Sequence, residues 1–155
     1  MKKSFLMALL FVFSPLSQAD FSGRVVRVID GDTVSVLSGK EMYRVRLNGI
    51  DAPESKQAYG QRAKQSLIAL AAQKNVLVVS SKQDRYGRYL GTLMNGGLNI
   101  NAQQVEKGMA WAYRFHDKAT DINMLALENK ARSNGVGLWA DPNPIEPWKW
   151  RRSDK

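Results

Sequence analysis

Apolar and polar residues alternate along the early part of the chain. Thr33 to Leu37 puts Val34 and Val36 on one face and Thr33 and Ser35 on the other, which predicts a strand. The Val- and Arg-rich stretch Phe21 to Ile29 predicts a strand before it, and Asp30-Gly31 signals the turn between them. Ser38-Gly39-Lys40 closes a hairpin into a third strand, Met42 to Leu47. There Tyr43, Val45 and Leu47 share one face and Arg44 and Arg46 the other. Gly49 and Pro53 break the pattern.

The apolar period then lengthens. Ala63, Leu67, Leu70 and Ala71 recur at helical spacing while Arg62, Lys64 and Gln65 face away, predicting a helix over Tyr59 to Lys74. Val76 to Ser80 is a continuous apolar run and reads as a buried strand. Tyr89 to Met94 is another strand, and Asn95-Gly96-Gly97 turns it into Leu98 to Ile100. Asn101 is expected to cap a short helix ending at Gly108. Ile122 to Ser133 predicts a last helix, with Met124, Leu127 and Ala131 on one side and Asn134-Gly135 as its stop. Pro142, Pro144 and Pro147 exclude regular structure from the tail, Asp141 to Lys155, which reads as an extended, partly mobile arm. Strands interrupted by helices give the α+β class, and five short antiparallel strands suit a small closed barrel such as an OB-fold.

The first residues change this picture. Lys2 and Lys3 precede an apolar run from Phe5 to Phe13, and Ser17-Gln18-Ala19 supplies small residues for a cleavage site. That order predicts a signal peptide over 1–19, cleaved after Ala19, and a secreted or periplasmic protein. The run is shorter than the roughly 20 residues a membrane span needs. A single-domain stretch over 20–140 and the tail over 141–155 remain, without a membrane segment, and nothing demands an oligomer. The chain has no cysteine, so its stability outside the cytoplasm rests on burial alone.

Charge narrows the chemistry. Lys and Arg number 23 against 14 Asp and Glu, a formal +9 that drops by two once Lys2 and Lys3 are removed. Such a domain is attracted to polyanions. With His116 its only histidine and no cysteine, it cannot run a two-histidine mechanism or build a multi-histidine zinc site. Any metal must be held by oxygen, which points to Ca²⁺ or Mg²⁺.

Acids and arginines supply the candidates. Asp32 opens a strand and Asp51 closes another, positions that hold carboxylates firmly yet open to solvent. Asp-Gly turn chemistry accounts for Asp30; for Asp32 a turn role and a ligand role stand side by side. Glu54 could orient an attacking water or cap a first helical turn. Arg46 and Arg88 offer paired donors for phosphate oxygens, whereas a solvated surface role suffices for Arg44. Acids for a hard cation beside arginines for a phosphate suggest phosphodiester hydrolysis. A nucleic-acid-binding module and a basic envelope protein are the competing readings, and loss of these acids or arginines would mark the first.

The segments Val28 to Thr33, Arg46 to Glu54 and Asp84-Arg85-Tyr86-Gly87-Arg88 resemble the three signature stretches of the staphylococcal nuclease family. Gly135-Val136-Gly137-Leu138-Trp139 is similar to the motif that closes the family's last helix. The resemblance runs from about Phe21 to Trp139. It implies an OB-fold five-stranded β-barrel with three α-helices, and a Ca²⁺-dependent nuclease acting on DNA and RNA and leaving 3′-phosphates. By position it implies Asp32, Asp51 and the Ala52 carbonyl as metal ligands, and Arg46, Glu54 and Arg88 as catalytic residues. It also implies Arg85, Tyr86, Tyr113 and Phe115 as substrate contacts. Ala52 stands where the family often has Thr, and Phe115 where it can carry a tyrosine.

Overall fold

The computed structural model describes residues 20–153; the expected signal peptide lies outside them. The strands are β1 (Phe21–Asp30), β2 (Thr33–Ser38), β3 (Glu41–Leu47), β4 (Ile50–Asp51), β5 (Asn75–Gln83), β6 (Tyr89–Asn95), β7 (Leu98–Asn99), β8 (Trp111–Ala112), β9 (Arg114–Phe115) and β10 (Lys118–Ala119). The helices are α1 (Gly60–Ala71), α2 (Ile100–Glu106), α3 (Ile122–Ser133) and α4 (Pro147–Ser153). β3, β2, β1, β5 and β6 pair in that order, all antiparallel, and a parallel β3–β6 pairing closes the ring. The result is a five-stranded OB-type barrel, in which closure leaves no bare edge. Register shifts in β1, between Val25 and Arg27 and between Val28 and Asp30, bend the strand around the barrel.

Alternation does what it predicts in β2 and β3. Val34, Val36, Val45 and Leu47 are fully buried in the barrel with Val25, Val78 and Leu93, and α1 and α2 seal it with Leu67, Ile100 and Val105. α3 runs over the expected residues. Asp121 caps it by accepting from the Asn123 and Met124 N–H groups, and Gly135 ends it at φ +60°.

Three expectations need correction. The apolar run 76–80 is a strand but buries one face only: Val76 and Val78 point inward while Leu77 and Val79 are exposed. It is a barrel wall with solvent on its outer side, not a central strand covered on both. The cap of α2 is Asn99, whose side chain accepts from the Ala102 N–H. Asn101 lies fully buried inside the helix. Third, the tail is not an extended arm. It turns into a fourth helix, α4, which begins at Pro147. Proline fits a first helical position, where its missing N–H costs nothing.

Buried polar side chains of α2 and α3 tie the loops down. Gln104 Nε2 donates to the Gly31 carbonyl (2.8 Å) and the Ala63 carbonyl (3.0 Å). Asn101 Nδ2 donates to the carbonyls of Asn48 and Gly91 (both 3.0 Å) while its Oδ1 accepts from the Leu93 N–H. These bonds fix the turn before Asp32 and the loop before Asp51. Glu128, fully buried, accepts from the Ala112 N–H (2.7 Å) and from Arg114, and pairs with the Arg132 charge. It thereby holds β8, the pairing partner of β4.

Candidate active site

Asp32 stands at the turn joining β1 to β2, and tight packing sets its place. A Cβ on Gly31 would come within 2.6 Å of the Ala63 Cβ and 2.7 Å of the Ala52 Cβ, so glycine alone lets these segments meet. Asp30 Oδ1 accepts from the Asp32 N–H, which is the expected turn role. Burial, and then the neighbouring Asp32 charge, push the Asp30 carboxyl up to about 6. Asp32 Oδ2 accepts from the Ala52 N–H at 2.7 Å, joining the Asp32 turn to the end of β4. Gly49, at φ +76°, makes the reversal into β4 that delivers Asp51.

Arg46 reaches into the same place from β3. Its Nη1 donates to the carbonyls of Leu47 (2.7 Å) and Ile50 (2.8 Å). Its Nη2 stands 3.2 Å from both Asp32 Oδ2 and Asp51 Oδ1. Its strand-face neighbour Arg44 points to solvent. Asp51 is 1% exposed, a costly place for a charge without partners. Burial pushes its carboxyl up, against the Arg151 hydrogen bond and the Arg46 charge, which pull it down.

Two carboxylate oxygens thus converge on one point of positive charge. Hard oxygen donors of this kind suit Ca²⁺ or Mg²⁺. Among the described residues, no group of three Asp, Glu or His side chains gathers as a ready metal cage. A cation on Asp32 and Asp51 would therefore draw further ligands from backbone oxygen and water. Ala52, 3% exposed beside these acids, engages the site through its backbone.

A family model described as staphylococcal nuclease homologue matches residues 44–141, more than half of the chain. The chain belongs to the staphylococcal nuclease family. It is 49% identical to the micrococcal nuclease of Shigella flexneri, over 96% of this chain and 90% of that one. It is 52% identical to Protein ParB of Escherichia coli, over 94% of this chain and 87% of that one. A plant relative, staphylococcal-like nuclease CAN1 of Arabidopsis thaliana, is 39% identical over 83% of this chain and 39% of its own. Membership makes this chain a nuclease, an endonuclease-type hydrolase with nucleic acid as its substrate.

The remaining expected residues of the nuclease fall into two groups. Glu54 joins the acids, through an arginine described next. Arg88 does not: its Nε pairs with Asp84 Oδ2 at 2.8 Å. Asp84 Oδ1 also accepts from the N–H groups of Tyr86 and Arg88, which shapes a turn that Gly87 completes at φ +75°. Arg85 and Arg88 lie over the Tyr86 ring, at 4.9 and 5.5 Å from its centroid. Tyr86 and Phe115 are largely exposed, and Tyr113 is at the margin of exposure. Phe115 stacks edge-on against His116 at the tip of the β9–β10 hairpin.

Sequence reasoning gave Arg151 at most a nucleic-acid contact in the tail and did not place it among the acids. From α4 its Nη1 donates to Asp51 Oδ1 (3.1 Å) and Glu54 Oε1 (2.7 Å), and its Nη2 to Asp51 Oδ2 (2.8 Å). A hundred residues separate it from Asp51, so no local spacing marks it. The weak signal was a Trp-Lys-Trp-Arg-Arg run with apolar anchors and cations on one turn.

Proposed function

We propose that the nuclease is a Ca²⁺-dependent phosphodiesterase that hydrolyses DNA and RNA by in-line attack of water and leaves 3′-phosphate ends. The observation that carries this is Arg46 Nη2 standing 3.2 Å from both Asp32 and Asp51, a phosphate-binding group and two hard-cation ligands in one place. Asp32, Asp51 and the Ala52 carbonyl would hold the cation. Its chemistry there would be to polarise a phosphoryl oxygen and offset developing charge. Glu54 takes the proton of the attacking water, or orients it, while the 5′ oxygen departs. Arg46 and Arg88 hold the non-bridging oxygens and stabilise the charge of the transition state. Exposed Tyr86, Tyr113 and Phe115 supply stacking faces and Arg85 adds positive charge, a combination suited to unpaired strands of either sugar. The N-terminal pattern of charge, apolar run and small residues supports secretion or a periplasmic location.

The product ends test this reading. Digests of single-stranded DNA and of RNA should yield fragments whose 3′ ends terminal transferase (DNA) or poly(A) polymerase (RNA) cannot extend until a 3′-phosphatase has acted. Fragments with 3′-hydroxyls would contradict the proposed bond cleavage.

A further inference from the structure

We propose that Arg151 is a built-in counter-ion of the cation site: its guanidinium occupies Asp51 and Glu54 until a divalent cation displaces it, and this competition sets the cation affinity. The proposal rests on the metal reading given under Proposed function.

The geometry is that of an occupied site. Asp51 Oδ2 is taken by Arg151 Nη2 at 2.8 Å, and Oδ1 is shared between Arg151 Nη1 and Arg46 Nη2. This is the forked pairing that makes Arg–carboxylate contacts strong. The same Nη1 lies 2.7 Å from Glu54 Oε1, so one guanidinium spans both carboxylates. Calcium takes carboxylate oxygens at about 2.3–2.6 Å. A dication that close to Asp51 would face the Arg151 charge at short range, where repulsion between cations is severe. One of them has to leave. Arg46 is anchored by two carbonyls besides the acids, while Arg151 is 42% exposed and its three hydrogen bonds all go to the acids themselves. Arg151 is the one free to go.

The tail is fixed so that this arginine returns. Gln57 Nε2 donates to the Ile145 carbonyl at 2.6 Å, and Gln57 Oε1 accepts from the Glu54 N–H. Pro147 is buried, and Trp148 packs edge-on against Trp111 at 5.5 Å. These contacts hold α4 without Arg151. The side chain can therefore swing out while the helix stays docked, which keeps its local concentration at the site high. In the absence of a cation, it also relieves charge on a nearly inaccessible Asp51.

Calorimetric titration of the full mature protein with Ca²⁺ alone, without nucleic acid, tests this. Arg151→Gln should bind Ca²⁺ about tenfold more tightly than wild type, the scale of one partly exposed charge-assisted pair. Arg151→Lys, which keeps the charge but loses the fork, should fall between them and carries the test should the Gln variant fold poorly. In wild type, Ca²⁺ should release the Arg151 Nη–H protons to fast solvent exchange while the α4 backbone amides keep their protection. Equal or weaker Ca²⁺ binding by the variants would overturn the counter-ion role and leave the metal reading standing. Absence of Ca²⁺ binding in every form would overturn both.

Discussion

Replacing Arg46 by Ala should lower kcat on single-stranded DNA by about a thousandfold at saturating Ca²⁺, with a smaller change in KM. The guanidinium is already held in place by two backbone carbonyls and two carboxylates, and its side chain is 13% exposed. A donor fixed in advance, in a site partly screened from water, stabilises transition-state charge without reorganisation. Arg46→Lys should restore little, because an ammonium cannot reproduce the fork. Arg44 is the internal control. It sits on the same strand face, exposed, and Arg44→Ala should stay within about twofold of wild type. Comparable rates for the Arg46 and Arg44 variants would remove Arg46 from the catalytic group.

The largest expected effect on stability is at Glu128. Its side chain is fully buried, its oxygens accept from the Ala112 N–H and from both terminal nitrogens of Arg114, and it forms an ion pair with Arg132. Arg114 in turn donates to the Ala112 carbonyl and lies over the Trp148 ring at 5.9 Å. Glu128→Ala would strand a buried N–H and a largely buried guanidinium. Loss of one partner from such a pair costs about 3–5 kcal/mol, or roughly 10 °C in Tm for a domain of this size. Glu128→Gln retains the volume and one acceptor and should lose less. Thermal melts of the two variants check this; a Glu128→Ala shift below about 3 °C would contradict the buried-network account.

Local patterns made the barrel legible. Alternation in β2 and β3 sorts core from surface because each strand has one dry and one wet face, and Asp-Gly and Asn-Gly signals mark turns whose backbone needs them. α3 was legible to its ends because its apolar stripe and glycine stop agree. The errors share a cause, which is that tertiary contacts decide what local rules leave open. Asn99 and Asn101 both satisfy the capping rule, but burial of Ile100 starts the helix two residues earlier and turns Asn101 inward. The run is apolar from Val76 to Val79, so no alternation warned that Leu77 and Val79 face water. The tail prolines look like breakers, yet Pro147 is a helix start.

The candidate site divides in the same way. Asp32, Arg46, Asp51 and Glu54 are close in sequence across one hairpin and one turn, and the fold gathers them. Arg88, expected to clamp the phosphate opposite them, is held in place by Asp84, the acid of its own turn. Arg151 arrives from the far end of the chain through contacts of Gln57, Pro147 and Trp148 that no spacing announces. Glu54 shows what this adds: its partner in the folded chain is neither a helix N-terminus nor a neighbouring residue, but that distant guanidinium.

The most direct test of the account is cleavage of single-stranded DNA by the protein in Ca²⁺ and in EGTA, with folding verified in both. The acid–arginine site predicts rapid cleavage in Ca²⁺, loss of cleavage in EGTA, and full recovery when Ca²⁺ is restored. Equal rates in the two buffers, or no cleavage in either, would contradict it.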